Sequence, residues 1–91
     1  MFREDDSETL RPVVTLYGRP GCGHCEEAAA WLRGWARGSR FRLEEIDIDQ
    51  DAALLVAYDW VVPVVLLDGV ELARAPLARE ALRRQLDSLI H

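Results

Sequence analysis

The two cysteines of the chain, the only ones it has, stand two residues apart in Gly18-Arg19-Pro20-Gly21-Cys22-Gly23-His24-Cys25, directly after an apolar run and directly before a helical pattern. That placement fixes a strand, a tight turn and a helix in succession, with both sulfurs at the junction. A cysteine in the first turn of a helix meets unpaired backbone N–H groups and the positive end of the macrodipole, and both favour thiolate over thiol. Cys22 is therefore the candidate nucleophile. Cys25 lies one helical turn further in, on the same side, within reach of a mixed disulfide formed at Cys22, which makes it the candidate resolving thiol.

The segments on either side support this placement. Val13-Val14-Thr15-Leu16-Tyr17 is β-branched and aromatic with apolar side chains on both faces, as in a central strand covered by helices on both sides. From Gly23 to Arg37, residues Ala28, Trp31, Leu32, Trp35 and Ala36 recur at helical intervals, so the Cys-x-x-Cys opens an amphipathic helix with Trp31 and Trp35 in the core. Gly34 inside it predicts either a loosened helix or the close approach of another backbone, and Gly38 is the stop signal. Phe41 to Ile46 reads as a second strand, followed by a short helix over Gln50 to Tyr58 with Asp49 as its N-cap. Asp47, Asp49 and Asp51 fit a strand end and a helix cap better than an acidic metal cluster.

Val61 to Leu67 is the second apolar centre, with Pro63 opening a strand at Val64 because proline is confined to strand starts and edges. Asp68-Gly69 then predicts a hairpin into Val70-Glu71-Leu72-Ala73. Pro76 is expected to open a last helix with Leu77, Ala81, Leu82, Leu86, Leu89 and Ile90 on one face. The order β-α-β-α-β-β-α predicts an α/β domain with a four-stranded mixed sheet covered by helices on both faces.

Length and charge bound the rest. At 91 residues there is room for one domain, expected over residues 12–91, behind a flexible acidic lead-in over residues 1–11 where only Phe2 can dock. Two cysteines cannot build a multi-bridge secreted framework, and the N-terminus lacks the features of a signal peptide, so a cytoplasmic location is expected. No apolar run approaches the ~20 residues that span a bilayer. The net charge of −5 argues against a nucleic-acid partner, which would require clustered positive charge.

A Cys-x-x-Cys at the head of the first helix together with Val62-Pro63 before the third strand resembles the thioredoxin fold. Thr15 through Cys25, Glu45-Ile46-Asp47-Ile48-Asp49, Tyr58 through Val64 and Asp68-Gly69-Val70-Glu71 are similar to the small glutaredoxin-like proteins, over roughly residues 13–90. The resemblance implies a thiol-disulfide oxidoreductase in which Pro63 is cis, lies against the active-site disulfide, and with the Val62 backbone holds an extended thiol substrate. Gly23 and His24 between the cysteines are the pair found in protein disulfide isomerases, where typical glutaredoxins have Pro and Tyr. Arg74-Ala75-Pro76-Leu77 stands where glutaredoxins carry the Gly-Gly-x-Asp turn that grips glutathione.

The expected chemistry is thus dithiol exchange with protein or small-molecule disulfides by a monomer, restored by an unidentified reductant. No metal or organic cofactor is required, and glutathione is an open co-substrate. His24 is expected to stabilise the Cys22 thiolate, with Glu26 and Glu27 opposing it. Arg19 is expected to raise the thiolate fraction, steer acidic substrates or attract a glutathione carboxylate. Trp60 is a candidate exposed aromatic in the substrate contact, beside Gly23, Val62 and Pro63. A glutathione-dependent glutaredoxin is one alternative. The other is a metal or iron-sulfur module in which two copies share the thiolates: a zinc site needs four ligands, only His24 and His91 remain beside the cysteines, and His24 is sterically poor between them, so one copy falls short.

Overall fold

Val14 and Leu16 point to one side of the first strand and Thr15 and Tyr17 to the other, and the computed structural model places this strand, β1 (Val13–Gly18), inside the sheet with both sides covered. The structure describes residues 11–38 and 40–90; the predicted acidic lead-in with Phe2, apart from Arg11, and the candidate ligand His91 lie outside the described residues. β1 leads into α1 (Gly23–Ala36), β2 (Arg42–Asp47), a 3-10 turn (Ile48–Gln50), α2 (Ala52–Tyr58), β3 (Val64–Leu67), β4 (Val70–Arg74) and α3 (Arg79–Leu89). The strand order is β2-β1-β3-β4, with β1 parallel to β2 and antiparallel to β3, and β3 antiparallel to β4. This is the expected β-α-β-α-β-β-α architecture with a mixed sheet.

Side-chain alternation along the strands divides the covering helices into two layers. Val14, Leu16 and Val65 join Ala28, Leu32, Leu82 and Leu86 in the main core, so α1 and α3 share one face. On the other face Tyr17 meets Tyr58 of α2, with ring centroids 4.9 Å apart and tilted, as aromatic pairs prefer. Trp31 and Trp35 are half-buried against the main core rather than within it; Trp35 carries the guanidinium groups of Arg79 and Arg83 over its ring at 5.8 and 5.9 Å.

The β3–β4 hairpin turns on Asp68 and Gly69, with φ of 48° and 84°, both in the left-handed region that such two-residue turns require. Asp68 also ties the turn back to β1. Its carboxylate accepts a hydrogen bond from the Val13 N–H at 2.9 Å, and its own N–H donates to the Val13 carbonyl at 2.8 Å.

Three local expectations need correction. Asp49 does not cap α2. The chain first makes the 3-10 turn, which Asp47 caps by accepting from the Asp49 N–H at 2.9 Å; α2 then starts later, with Asp51 accepting from Ala53 and Leu54 at 3.0 and 3.1 Å. Pro76 does not open α3. The Ala75 N–H donates to the Pro63 carbonyl at 2.9 Å, which prolongs the extended pairing past β4, and the chain completes its turn before helix begins at Arg79. Gly34 neither loosens α1 nor admits a neighbouring backbone: the helix runs through it to Ala36, and a Cβ built there meets nothing within 4 Å.

Candidate functional site

The turn between β1 and α1 is shaped by Gly21, with φ of 76°, and delivers Cys22 as the N-cap of α1 with extended backbone angles. The Cys25 N–H, one of the orphan donors of the first helical turn, points at Cys22 Sγ at 3.1 Å. The Glu26 N–H donates to the Cys22 carbonyl at 3.0 Å. Cys22 and Cys25 form a disulfide with their Cα atoms 5.2 Å apart. The two residues differ in exposure: Cys22 is half-buried, whereas Cys25 is 5% exposed, behind it in the helix.

Gly18, the first residue of the cysteine stretch, also packs against the second cysteine. A Cβ at Gly18 would lie 3.1 Å from Cys25 Cβ and 3.4 Å from its Sγ, so the absence of a side chain lets the strand end pass close behind the buried sulfur. No sequence-local signal marks this contact, because it depends on how α1 lies across β1.

Two cavities open at the Cys-x-x-Cys segment, one lined by Cys25 and the other by His24. One, of about 500 Å³, runs along Cys25 and is lined by Gly18, Arg19, Glu26, Arg33, Glu45 and Asp47 among others. The other, of about 540 Å³ and predominantly apolar, brings His24, Glu27 and Trp31 of α1 together with Pro63, Pro76 and Leu77. Val62-Pro63 and Ala75-Pro76 are both cis peptide bonds. The second of these, and Leu77 and Arg79 after it, escaped sequence reasoning as neighbours of Pro63; the only hint was Pro76 itself, assigned to a helix start. Val62 is half-buried and Pro63 buried.

The remaining predicted residues are placed as follows. The His24 side chain is 90% exposed, and its Nδ1 lies 3.6 Å from Glu27 Oε1. Gly23 is the exposed first residue of α1. Trp60 is 93% exposed in the turn after α2 and lines neither cavity. Arg19 bridges two elements: Nη2 donates to Asp49 Oδ1 at 2.7 Å, and Nη1 donates to the Asp59 carboxylate and, at 3.3 Å, to the Asp59 carbonyl. The hydrogen bond to Asp59 is the foremost cause of a raised Arg19 pKa. On the far wall of the same cavity Arg33 Nε donates to Glu45 Oε2 at 2.7 Å, and this bond holds the Glu45 carboxyl below its ordinary pKa. Among the described residues no group of three His, Cys, Asp or Glu side chains is arranged to hold a metal ion, and no helix is long and apolar enough to cross a membrane.

The sequence profile of the Glutaredoxin-like domain (DUF836) matches residues 13–87. The chain belongs to the glutaredoxin-like family. Solved structures agree. A structural-genomics target protein from X. campestris is 37% identical to this glutaredoxin-like chain, with a TM-score of 0.66 over 82% of it and 96% of the other. A Nitrosomonas europaea protein is 34% identical, with a TM-score of 0.66 over 82% and 91%. A mutant thioredoxin from Halobacterium salinarum NRC-1 gives a TM-score of 0.71 over 96% of this chain and 81% of its own, and at 23% identity it speaks for the fold alone. No curated protein matches the chain. A glutaredoxin-like thioredoxin fold with a Cys22–Cys25 disulfide at the head of its first helix supports a thiol redox function.

Proposed function

We propose that the protein is a thiol-disulfide oxidoreductase in which Cys22 makes and breaks the bond to substrate and Cys25 resolves it. The observation that carries this reading is the asymmetry of one disulfide at a helix N-terminus: Cys22 is the more exposed partner and receives a backbone N–H, while Cys25 is buried behind it. In the reducing direction, the Cys22 thiolate attacks one sulfur of a substrate disulfide, forming a mixed disulfide and expelling the first substrate thiolate. Cys25 then attacks Cys22 Sγ, expelling the second thiolate and closing the Cys22–Cys25 disulfide. Two electrons pass from the protein dithiol to the substrate, and the protons of the dithiol end on the two product thiols. A separate dithiol or thiol reductant restores the protein.

The helix N-terminus and the Cys25 N–H favour negative charge on Cys22 Sγ throughout the cycle. Pro63, the Val62 backbone and the apolar cavity beside His24 are the proposed seat of the substrate chain. No metal or organic cofactor takes part in these steps. Steady-state reduction of a small disulfide, coupled to a reductant, tests the proposal: Cys22→Ser is expected to lose at least a hundredfold in rate, and full activity in that variant sinks it.

A further inference from the structure

Arg19 is the arginine nearest the nucleophile in the chain, and both of its terminal nitrogens are already committed to carboxylates, those of Asp49 and Asp59. The other arginines lining the two cavities at the cysteine turn are matched as well. Arg33 pairs with Glu45, and Arg79 pairs with Glu80 at 2.6 Å while lying over Trp35. Glu26, Glu27 and Asp47 add further carboxylates to the same linings.

A substrate approaching the cysteine turn along these two cavities therefore meets a surface whose arginines are neutralised and whose carboxylates outnumber them. Charge of one sign around a cleft repels like-charged ligands and concentrates opposite ones, with effects on rate of ~10- to 1000-fold. Held by Asp49 and Asp59, Arg19 offers a substrate carboxylate no uncompensated positive charge. We infer that Arg19 is a charge-neutralised clamp, and that this site discriminates among disulfides by charge, taking cationic and neutral ones in preference to anionic ones, glutathione disulfide included. The inference deepens the oxidoreductase reading above and rests on it.

The test is a single turnover by the full chain, reduced beforehand and freed of reductant, with three disulfides of similar size. These are cystamine, with two ammonium groups; bis(2-hydroxyethyl) disulfide, uncharged; and 3,3′-dithiodipropionate, with two carboxylates. The protein dithiol supplies both electrons, becoming the Cys22–Cys25 disulfide as the substrate is cleaved to two thiols. Each rate is divided by that of the same disulfide with dithiothreitol, which removes differences in intrinsic reactivity.

At about 0.01 M salt, where the screening length is ~30 Å, the expected order is cationic, then neutral, then anionic, with at least tenfold between the extremes. At about 1 M salt, where screening acts within ~3 Å, the spread is expected to shrink severalfold. Asp49→Asn keeps the acceptor but removes one of the two negative charges that neutralise Arg19, and is expected to raise the anionic rate relative to the neutral one. Turnover of the neutral disulfide with the anionic one equally fast or faster overturns the charge discrimination and leaves the oxidoreductase reading standing. An order that does not respond to salt, or an unchanged anionic-to-neutral ratio in Asp49→Asn, overturns it as well. No turnover of any of the three overturns the oxidoreductase reading and this inference with it.

Discussion

Gly18 and Cys25 show how much of the site depends on one missing methyl group. A Cβ at Gly18 would sit 3.1 Å from Cys25 Cβ, tighter than ordinary contact, and Cys25 is buried and fixed by its disulfide, so the neighbour has little room to yield. Overpacking of this kind costs about 1–3 kcal/mol. Gly18→Ala is expected to lower the urea midpoint of the oxidised protein by a corresponding amount, whereas Gly23→Ala, which meets nothing within 4 Å, introduces no such clash. Equal midpoints for Gly18→Ala and wild type would show that the close approach is not strained. At this scale the sequence was legible where a residue acts on its immediate neighbours. Cys22 with Cys25, and Asp68 with Gly69, are such cases. It was silent where the partner comes from elsewhere: Gly18 with Cys25, and Arg19 with Asp49 and Asp59, some 30 and 40 positions away.

The elements were predicted in the right order because their signals are periodic and repeated over several residues. The starts of the last two helices were not correctly placed, because competing signals stood at each of them. Asp47, Asp49 and Asp51 are all competent caps; the intervening 3-10 turn assigns Asp47 and Asp51 to capping and leaves Asp49 to Arg19. Pro76 carries a helix-start signal that is overridden by the bond from Ala75 to Pro63. Gly34 is the reverse case, a residue disfavoured in a helix that the element tolerates without any compensating contact. Its replacement by alanine therefore has nothing to disturb and removes an entropic penalty. Gly34→Ala is expected to stabilise the protein by up to about 1 kcal/mol in equilibrium denaturation. A loss of stability would mean that α1 is under a constraint at Gly34 that its open surroundings do not account for.

At the scale of the molecule, the sheet separates a large core under α1 and α3 from a smaller layer under α2, and the cysteine turn sits at the end of the strand both layers share. The α2 layer has a pH signature. Burial foremost, with Tyr58 and Asp51 adding repulsion, raises the Tyr17 pKa above its ordinary 10.0. The folded state then holds this proton more tightly than the unfolded one. Tyr17 contributes stability that is complete below pH ~10 and is lost as pH rises through the folded value. Tyr17→Phe is expected to flatten the alkaline decline of stability above pH ~10, and a decline of unaltered slope would assign it to other groups. The central claim is the order of events at the two sulfurs, and intact-mass analysis after brief exposure to a small disulfide tests it most directly. Cys25→Ser should accumulate one stable adduct, at Cys22, while reduced wild type should pass to the intramolecular disulfide without a lasting adduct. Cys22→Ser should react at Cys25 far more slowly; labelling of Cys25 in that variant as fast as Cys22 is labelled in Cys25→Ser would contradict the account.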